Sequence, residues 1–202
     1  MAYRDFKISD LEKRFGIKTQ QISFLPTHIQ PVEPSAWLLQ TLEIKRKAKP
    51  NTTEKAVSES IIDPILTEVT VKNSDKITLF SGENLKADIS KGLNGEIDFM
   101  MVYQHEALEL TDPVINITEA KLNQALEKSL AQAGSQMIGA RVFNANNGNL
   151  IQTIHGAVTN GKNWIFMKLE GDNLYIDTEK DYSTANLPEI LGIFQIIIDS
   201  YN

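Results

Sequence analysis

The chain has 202 residues, of which 42% are hydrophobic and 23% charged, so its composition indicates a folded domain with a core rather than a disordered segment. It contains no cysteine, which excludes disulfides, thiolate metal ligands and cysteine nucleophiles. The net charge of −6 argues against a protein that binds DNA only through non-specific contacts, because such proteins are usually basic.

No apolar run approaches the roughly 18 residues that a membrane span needs. The first ten residues, MAYRDFKISD, lack the apolar stretch of a secretory signal. Together with the absence of cysteine, this predicts a cytoplasmic protein that does not associate with a membrane.

Residues 1–50 are predicted to form a helical and extended appendage. It holds two short helices, Asp10–Arg14 and Ala36–Ile44, and the first of them ends at Gly16. Three prolines interrupt the chain between these helices. The basic stretch Lys45–Pro50 is interpreted as a solvated link to the rest of the protein rather than as a DNA contact.

Residues 51–202 are predicted to form the main domain. Asn51 and Glu54 have the spacing of a capping box, which predicts a helix start at this point. Apolar residues then recur on one face from Glu54 to Val69. Pro64 is expected to kink or restart this helix.

The pattern after this helix changes to that of strands. The predicted strands are Ile77–Ser81 and Leu85–Ile89, which would form a hairpin around Gly82, followed by Glu96–Tyr103, Val114–Ala120, Ile151–Val158, Trp164–Glu170 and Leu174–Asp177. Helices are predicted at Asn123–Arg141 and Leu187–Tyr201, with a turn at Asn144–Asn149. This order predicts an α/β fold with a mixed central sheet that is flanked by helices.

Three charged residues fall within the apolar strands. Glu119 and Lys121 are two residues apart, so both side chains should point to the same side of their strand. Asp98 lies on the preceding strand between two apolar residues. If these strands are neighbours, the two carboxylates converge and suit Mg²⁺, with Mn²⁺ as an alternative. Glu59, in the preceding helix, is a candidate third carboxylate.

The segments Gly95–Asp98 and Ile117–Lys121, followed by a helix, resemble the PD-(D/E)xK nuclease superfamily. About residues 51–200 also resemble a narrower, largely cyanobacterial, group within it, through the stretches Thr53–Leu66, Leu79–Gly82, Glu119–Lys121 and Gly156–Gly161. The resemblance implies a restriction endonuclease-like core. It also implies that Asp98 and Glu119 are metal ligands and that Lys121 is the catalytic lysine. By position, Glu59 and Gln132 resemble a helix-borne glutamate and a site glutamine that members of the superfamily carry.

Each of these residues also has a structural interpretation. Glu119 and Lys121 would then form a salt bridge at a sheet edge, and Asp98 would cap a turn after Gly95. Glu59 would face solvent, and Gln132 would be a packing or surface residue.

The resulting functional expectation is a metal-dependent endonuclease that hydrolyses DNA phosphodiester bonds, with a homodimer implied by the resemblance. The alternative is a nuclease-like module with little or no catalysis that binds nucleic acid or a protein partner. A phosphate hydrolase that acts on small molecules is also left open. The three histidines are scattered along the chain and have no metal-ligand spacing; His155 is expected to pack or hydrogen-bond within a strand.

Overall fold

A mixed eight-stranded sheet runs through the centre of the protein, which is described by a computed structural model for residues 1–48, 52–107, 109–110, 113–122, 126–149, 151–178 and 180–201. The strands are β1 (Lys18–Gln21), β2 (Thr78–Asp88), β3 (Leu93–Val102), β4 (Val114–Ala120), β5 (Thr153–Thr159), β6 (Asn163–Glu170), β7 (Asn173–Ile176) and β8 (Tyr182–Ser183). The helices are α1 (Ile8–Phe15), α2 (Ala36–Ala48), α3 (Glu54–Val57), α4 (Asp63–Lys72), α5 (Leu126–Asn146) and α6 (Leu187–Asp199). A π-helical turn, Ser58–Ile62, joins α3 to α4.

The strand order is β1-β7-β6-β5-β4-β3-β2, with β8 paired to β6. The pairs β4–β5 and β1–β7 are parallel and the others are antiparallel. Helix α5 covers one face of the sheet, whereas α4 and α6 pack against the other. The predicted α/β fold with a mixed sheet between helices is therefore confirmed.

Strand β4 has the predicted bounds and is buried along its whole length. It lies between β3 and β5, so both of its edges are paired. A run of apolar residues with few charges is what such a central strand requires, because it has a hydrophobic layer on each face.

The predicted hairpin around Gly82 is wrong. Residues Thr78–Asp88 form a single strand that pairs antiparallel with β3 along most of its length. Gly82 has a φ of +69°, a conformation that glycine adopts without the steric cost that a side chain would incur. In this protein the positive φ of Gly82 lies within a continuous strand and does not form a turn.

Several helix boundaries also differ from the predictions. Asn51 lies outside the described residues, and the N-cap of α3 is Thr53, whose hydroxyl accepts a hydrogen bond from the Ala56 N–H at 3.1 Å. Helix α5 continues to Asn146 through the first part of the predicted turn. Pro64 falls in the first turn of α4, just after the π-helical turn, as expected of a residue that restarts a helix.

The first 48 residues pack on the same sheet as the rest of the chain. Strand β1, which was not predicted, pairs with β7 at one edge. Tyr3 and Leu11 are buried in the core under α5, and Leu38 is buried in the core under α4 and α6. Gly16 ends α1 with a φ of +72°, as predicted. In the described part of the chain, no helix combines the length and the apolar character that crossing a membrane requires.

Candidate active site

Asp98 lines a cleft of about 660 Å³ between the helical segment that starts at α3 and the strands β2 and β3. Besides Asp98, the charged residues that line it are Lys45, Glu54, Lys55, Glu59, Asp63 and Glu96. Among the described residues, five carboxylates and two ammonium groups therefore face one space. Such a space favours a ligand that carries positive charge, or that brings positive charge with it.

Glu119 and Lys121 contact each other at the end of β4. The Lys121 Nζ atom lies 2.6 Å from Glu119 Oε1, and the Glu119 side chain is 1% exposed. The two side chains thus share one side of the strand, as their spacing predicts. Because β4 is paired on both edges, the interpretation of this ion pair as a sheet-edge salt bridge is wrong.

Asp98 lies next to Glu119 across the antiparallel pair β3–β4. The register places Phe99 opposite Thr118, which brings the preceding residue of β3 to the level of Glu119. The Ala120 N–H donates a hydrogen bond of 2.7 Å to Asp98 Oδ2. Asp98 is therefore held against β4 and does not cap the turn after Gly95.

The sheet is irregular at the point where Asp98 lies. Ile97 and Met100 are both in the core under α5, although residues three apart on a regular strand face opposite sides. Phe99 lies in the other core. On β2, Ser81 and Glu83 pair with Phe99 and Ile97, so Gly82 lies opposite Asp98. The positive φ of Gly82 coincides with this break in alternation.

Two glutamines of α5 bind the Glu119 carboxylate. Gln132 Nε2 donates to Oε1 at 2.5 Å and Gln136 Nε2 donates to Oε2 at 2.7 Å. The structure therefore brings Gln132 to the predicted site. Gln136 was missed, although its spacing of four residues from Gln132 places both on one face of a helix.

Burial is the largest influence on the two acidic groups. Burial, followed by the charge of Asp98, raises the pKa of Glu119 to about 7 against the opposing effect of Lys121. Burial also raises the pKa of Asp98, although its hydrogen bond with Ala120 and the charge of Lys121 act to lower it. Burial acts to lower the pKa of Lys121, but the neighbouring carboxylates outweigh it and raise that pKa.

Glu59 lines the same cleft as Asp98, on the π-helical turn. Its backbone carbonyl accepts a hydrogen bond of 2.5 Å from Lys45 Nζ. Lys45 lies in α2 and lines the cleft, whereas Arg46 and Lys47 of the same basic stretch are exposed, as expected of a solvated segment; Lys49 and Pro50 lie outside the described residues. Glu54 was also missed: its Oε2 atom lies 3.8 Å from Lys121 Nζ.

No set of three or more acidic, histidine or cysteine side chains is arranged to hold a metal ion within the described ranges. The donors at the site are the carboxylates of Asp98 and Glu119, which are hard oxygen ligands. Mg²⁺ accepts one or two carboxylates and keeps water in its other positions, so this donor set fits Mg²⁺ or Mn²⁺. Burial, and then the neighbouring charge of Asp98, raise the pKa of Glu119, and a cation between the two carboxylates would relieve this repulsion.

Known proteins do not add a function to this geometry. No protein-family model matches the chain, and a search of curated proteins finds no match.

Proposed function

We propose that the protein is a metal-dependent hydrolase of DNA phosphodiester bonds with a restriction endonuclease-like core. The observation that carries the proposal is the junction of β3 and β4. There, a half-buried carboxylate, Asp98, and a buried one, Glu119, lie on adjacent strands, and an ammonium group lies 2.6 Å from Glu119. When both acids are ionised, two carboxylates with one ammonium group leave a negative charge unbalanced, which is costly away from water and which a bound cation would offset.

The carboxylates of Asp98 and Glu119 would hold Mg²⁺ or Mn²⁺. When bound, the metal lowers the pKa of a coordinated water and neutralises charge on the phosphate. Asp98 is oriented for this role by the Ala120 N–H, and Glu119 by the amides of Gln132 and Gln136. A ligand whose rotamer is fixed by such bonds loses little further entropy when a cation arrives.

Lys121 would orient the attacking water and stabilise the charge that develops on the phosphate. Its ammonium group can donate three hydrogen bonds, and Glu119 and Glu54 hold it over the end of β4. Lys45 and Lys55 supply positive charge to a cleft that is otherwise acidic. They are candidates for contacts with the phosphates that flank the cleaved bond, a role that the net charge of the whole chain does not exclude.

The test is cleavage of supercoiled plasmid and of a single-stranded oligonucleotide in the presence of Mg²⁺ or Mn²⁺. Asp98→Asn and Lys121→Met are expected to lower the rate by about 100-fold or more, because each removes a group that acts on the reacting phosphate. The Asp98→Asn variant should fold, because an asparagine side chain keeps an oxygen that can accept the Ala120 bond. The matched controls are Asp75→Asn and Lys13→Met, which change exposed residues and should cleave at the original rate.

Each outcome decides one part of the proposal. Cleavage that persists in both Asp98→Asn and Lys121→Met excludes the assigned site. Hydrolysis of a small diester such as bis(p-nitrophenyl) phosphate, without cleavage of any DNA, excludes DNA as the substrate. Cleavage of both strands of a plasmid in one event would support a homodimer, because each copy holds one candidate site.

A second candidate function is a nuclease-like module that binds nucleic acid or a protein without cleaving. The observation that favours it is that Glu119 is already satisfied without a cation: Oε1 is bound by Gln132 and Lys121, and Oε2 by Gln136. A metal would have to compete with the Lys121 ammonium group for Oε1.

Calorimetric titration separates the two functions. For the hydrolase, Mg²⁺ or Mn²⁺ should bind with a dissociation constant in the millimolar range or below, and Asp98→Asn should abolish the heat. For the module, no heat should appear at these concentrations, while a labelled oligonucleotide or a protein partner still binds. Asp75→Asn is again the control. If the heat came only from metal binding to surface carboxylates, this variant would lower it as much as Asp98→Asn does.

A further inference from the structure

A second pocket, of about 420 Å³, lies on the opposite face of the sheet from Glu119. Glu119 contacts α5, whereas the second pocket is bounded by the end of α6. Its apolar walls are Phe24, Leu25, Pro26, Ile151, Ile196 and Ile197. Among the residues that the structure describes, none lines both this pocket and the first cleft. Polar and charged side chains make up the rest of its lining, so apolar and polar surfaces face one concave space of a size that suits a small molecule.

His155 is one of the polar residues that line this pocket. It lies on β5 and is 6% exposed. Its Nδ1 atom is 2.8 Å from the Tyr201 hydroxyl, which is also 3.1 Å from the carbonyl of Ile115 and 3.0 Å from that of Thr153. The two carbonyls can only accept, so we assign the single hydroxyl hydrogen to them. The hydroxyl oxygen therefore accepts from an N–H at Nδ1.

The proton on Nδ1 fixes the chemistry of the other ring nitrogen. A neutral imidazole with hydrogen on Nδ1 has a lone pair on Nε2. Burial, followed by the positive charge of Lys168, lowers the pKa of His155 to about 4, so the ring is neutral at ordinary pH. His155 thus offers a hydrogen-bond acceptor to the pocket that it lines.

Lys168 provides a donor beside this acceptor. The register of β5 and β6 places it directly opposite His155, a position at which side chains are neighbours on one face of the sheet. Its Nζ atom lies 3.1 Å from Glu170 Oε2 and 5.8 Å from the centre of the Phe24 ring. The Lys168 and Glu170 charges balance, so the pocket does not call for a strongly anionic ligand.

We propose that this pocket binds a neutral planar heterocycle whose edge presents an N–H group next to a carbonyl, the imide or lactam edge found in uracil and thymine. The N–H donates to His155 Nε2 and the carbonyl accepts from Lys168. The flat ring lies against the apolar wall that includes Phe24. This inference does not depend on the proposed hydrolysis, since it concerns a different pocket and a binding event without chemistry.

The test uses 1-methyluracil as the probe and 1,3-dimethyluracil as its matched control. The first compound has one imide N–H and the second has none, while both keep the ring and the carbonyls. The protein contains only three histidines, so ¹⁵N-histidine labelling gives a simple spectrum in which His155 can be followed. Without ligand, the His155 proton should be on Nδ1.

On addition of 1-methyluracil, the Nε2 signal of His155 should shift in a saturable way. The dimethyl compound should bind about tenfold or more weakly, because His155 Nε2 is then left without a donor. Lys168→Met should weaken binding of 1-methyluracil, whereas Lys162→Met, which changes an exposed lysine, should not. His155→Phe should abolish the difference between the two compounds.

Three results would overturn the proposal. One is a His155 proton on Nε2 in the free protein. Another is the absence of any His155 shift up to the solubility limit of 1-methyluracil. The third is equal binding of the two compounds. If His155→Phe does not fold, as judged by circular dichroism, the methyl series and Lys168→Met still decide the question.

Discussion

Acid is expected to destabilise this protein through His155 before most carboxylates are protonated. The His155 ring, on β5, is buried beside Tyr201, and this burial lowers the pKa of His155 from 6.5 to about 4. Among the charged neighbours, Lys168 adds to this lowering and Glu170 opposes it. The folded state therefore disfavours the imidazolium that the unfolded chain accepts readily.

The sign and the size of the effect follow from the two pKa values. A histidine whose pKa is lower in the folded state contributes stability above the unfolded value of 6.5, and this stability is lost as the pH falls toward 4. A shift of this size corresponds to a loss of about 2 kcal/mol at pH 5 and about 3 kcal/mol at pH 4. A domain of ordinary stability would lose a large fraction of its free energy of unfolding.

The assay compares the wild type with His155→Gln by urea denaturation between about pH 7.5 and about pH 4. Glutamine does not titrate, and its amide can still donate to Tyr201. Other groups titrate equally in both proteins, so the difference between the two free energies isolates His155. This difference should change by about 3 kcal/mol in favour of the variant as the pH falls. A difference that stays constant over the range would refute the reasoning, as would a folded-state titration of His155 near 6.5.

Three further substitutions test packing and hydrogen bonds elsewhere in the fold, each by the midpoint of urea unfolding. Gly82→Ala should cost about 1 kcal/mol, because φ is +69° at this position. Gly139→Ala should destabilise by about 1–3 kcal/mol, because a β-carbon there would overlap the Tyr3 hydroxyl, and the cost should shrink in a Tyr3→Phe background. Glu68→Gln should cost about 1–2 kcal/mol, since the buried carboxylate accepts from both the backbone and the hydroxyl of Ser35.

The prediction for β4, the strand that carries Glu119, was accurate because a local pattern determines it. Strand β4 is a short, largely apolar segment after a proline, which is typical of a central strand. Glu119 and Lys121 are two residues apart, and side chains at this spacing in an extended chain point to the same side. Their shared orientation could therefore be predicted without knowledge of the rest of the fold.

The prediction for Gly82 was wrong, and the strand at residues 18–21 was missed, because these residue types are compatible with more than one backbone conformation. Gly82 adopts a positive φ, which is typical of turns, yet it lies within a continuous strand. The pairing of β2 with β3 along its length determines this outcome, and that pairing is tertiary. Strand β1 was missed for a related reason: residues 18–21 are polar and mostly exposed, and they are a strand only because β7 lies beside them.

The candidate site shows the same contrast between residues that a local sequence pattern reveals and residues that only the tertiary fold brings in. Asp98, Glu119 and Lys121 were found because they lie in, or directly after, strands whose pattern is local. In contrast, Gln136, Glu54 and Lys45 come from three helices that only the tertiary fold brings together. Gln136 holds one oxygen of Glu119 and Glu54 contacts Lys121, so these two groups affect the bonds that a cation must share or displace. Whether the Lys121 ammonium group or a metal ion occupies Glu119 Oε1 is a competition between two cations for one buried oxygen. A hydrolase requires the ammonium group to move aside without leaving the site, and a binding module requires it to stay.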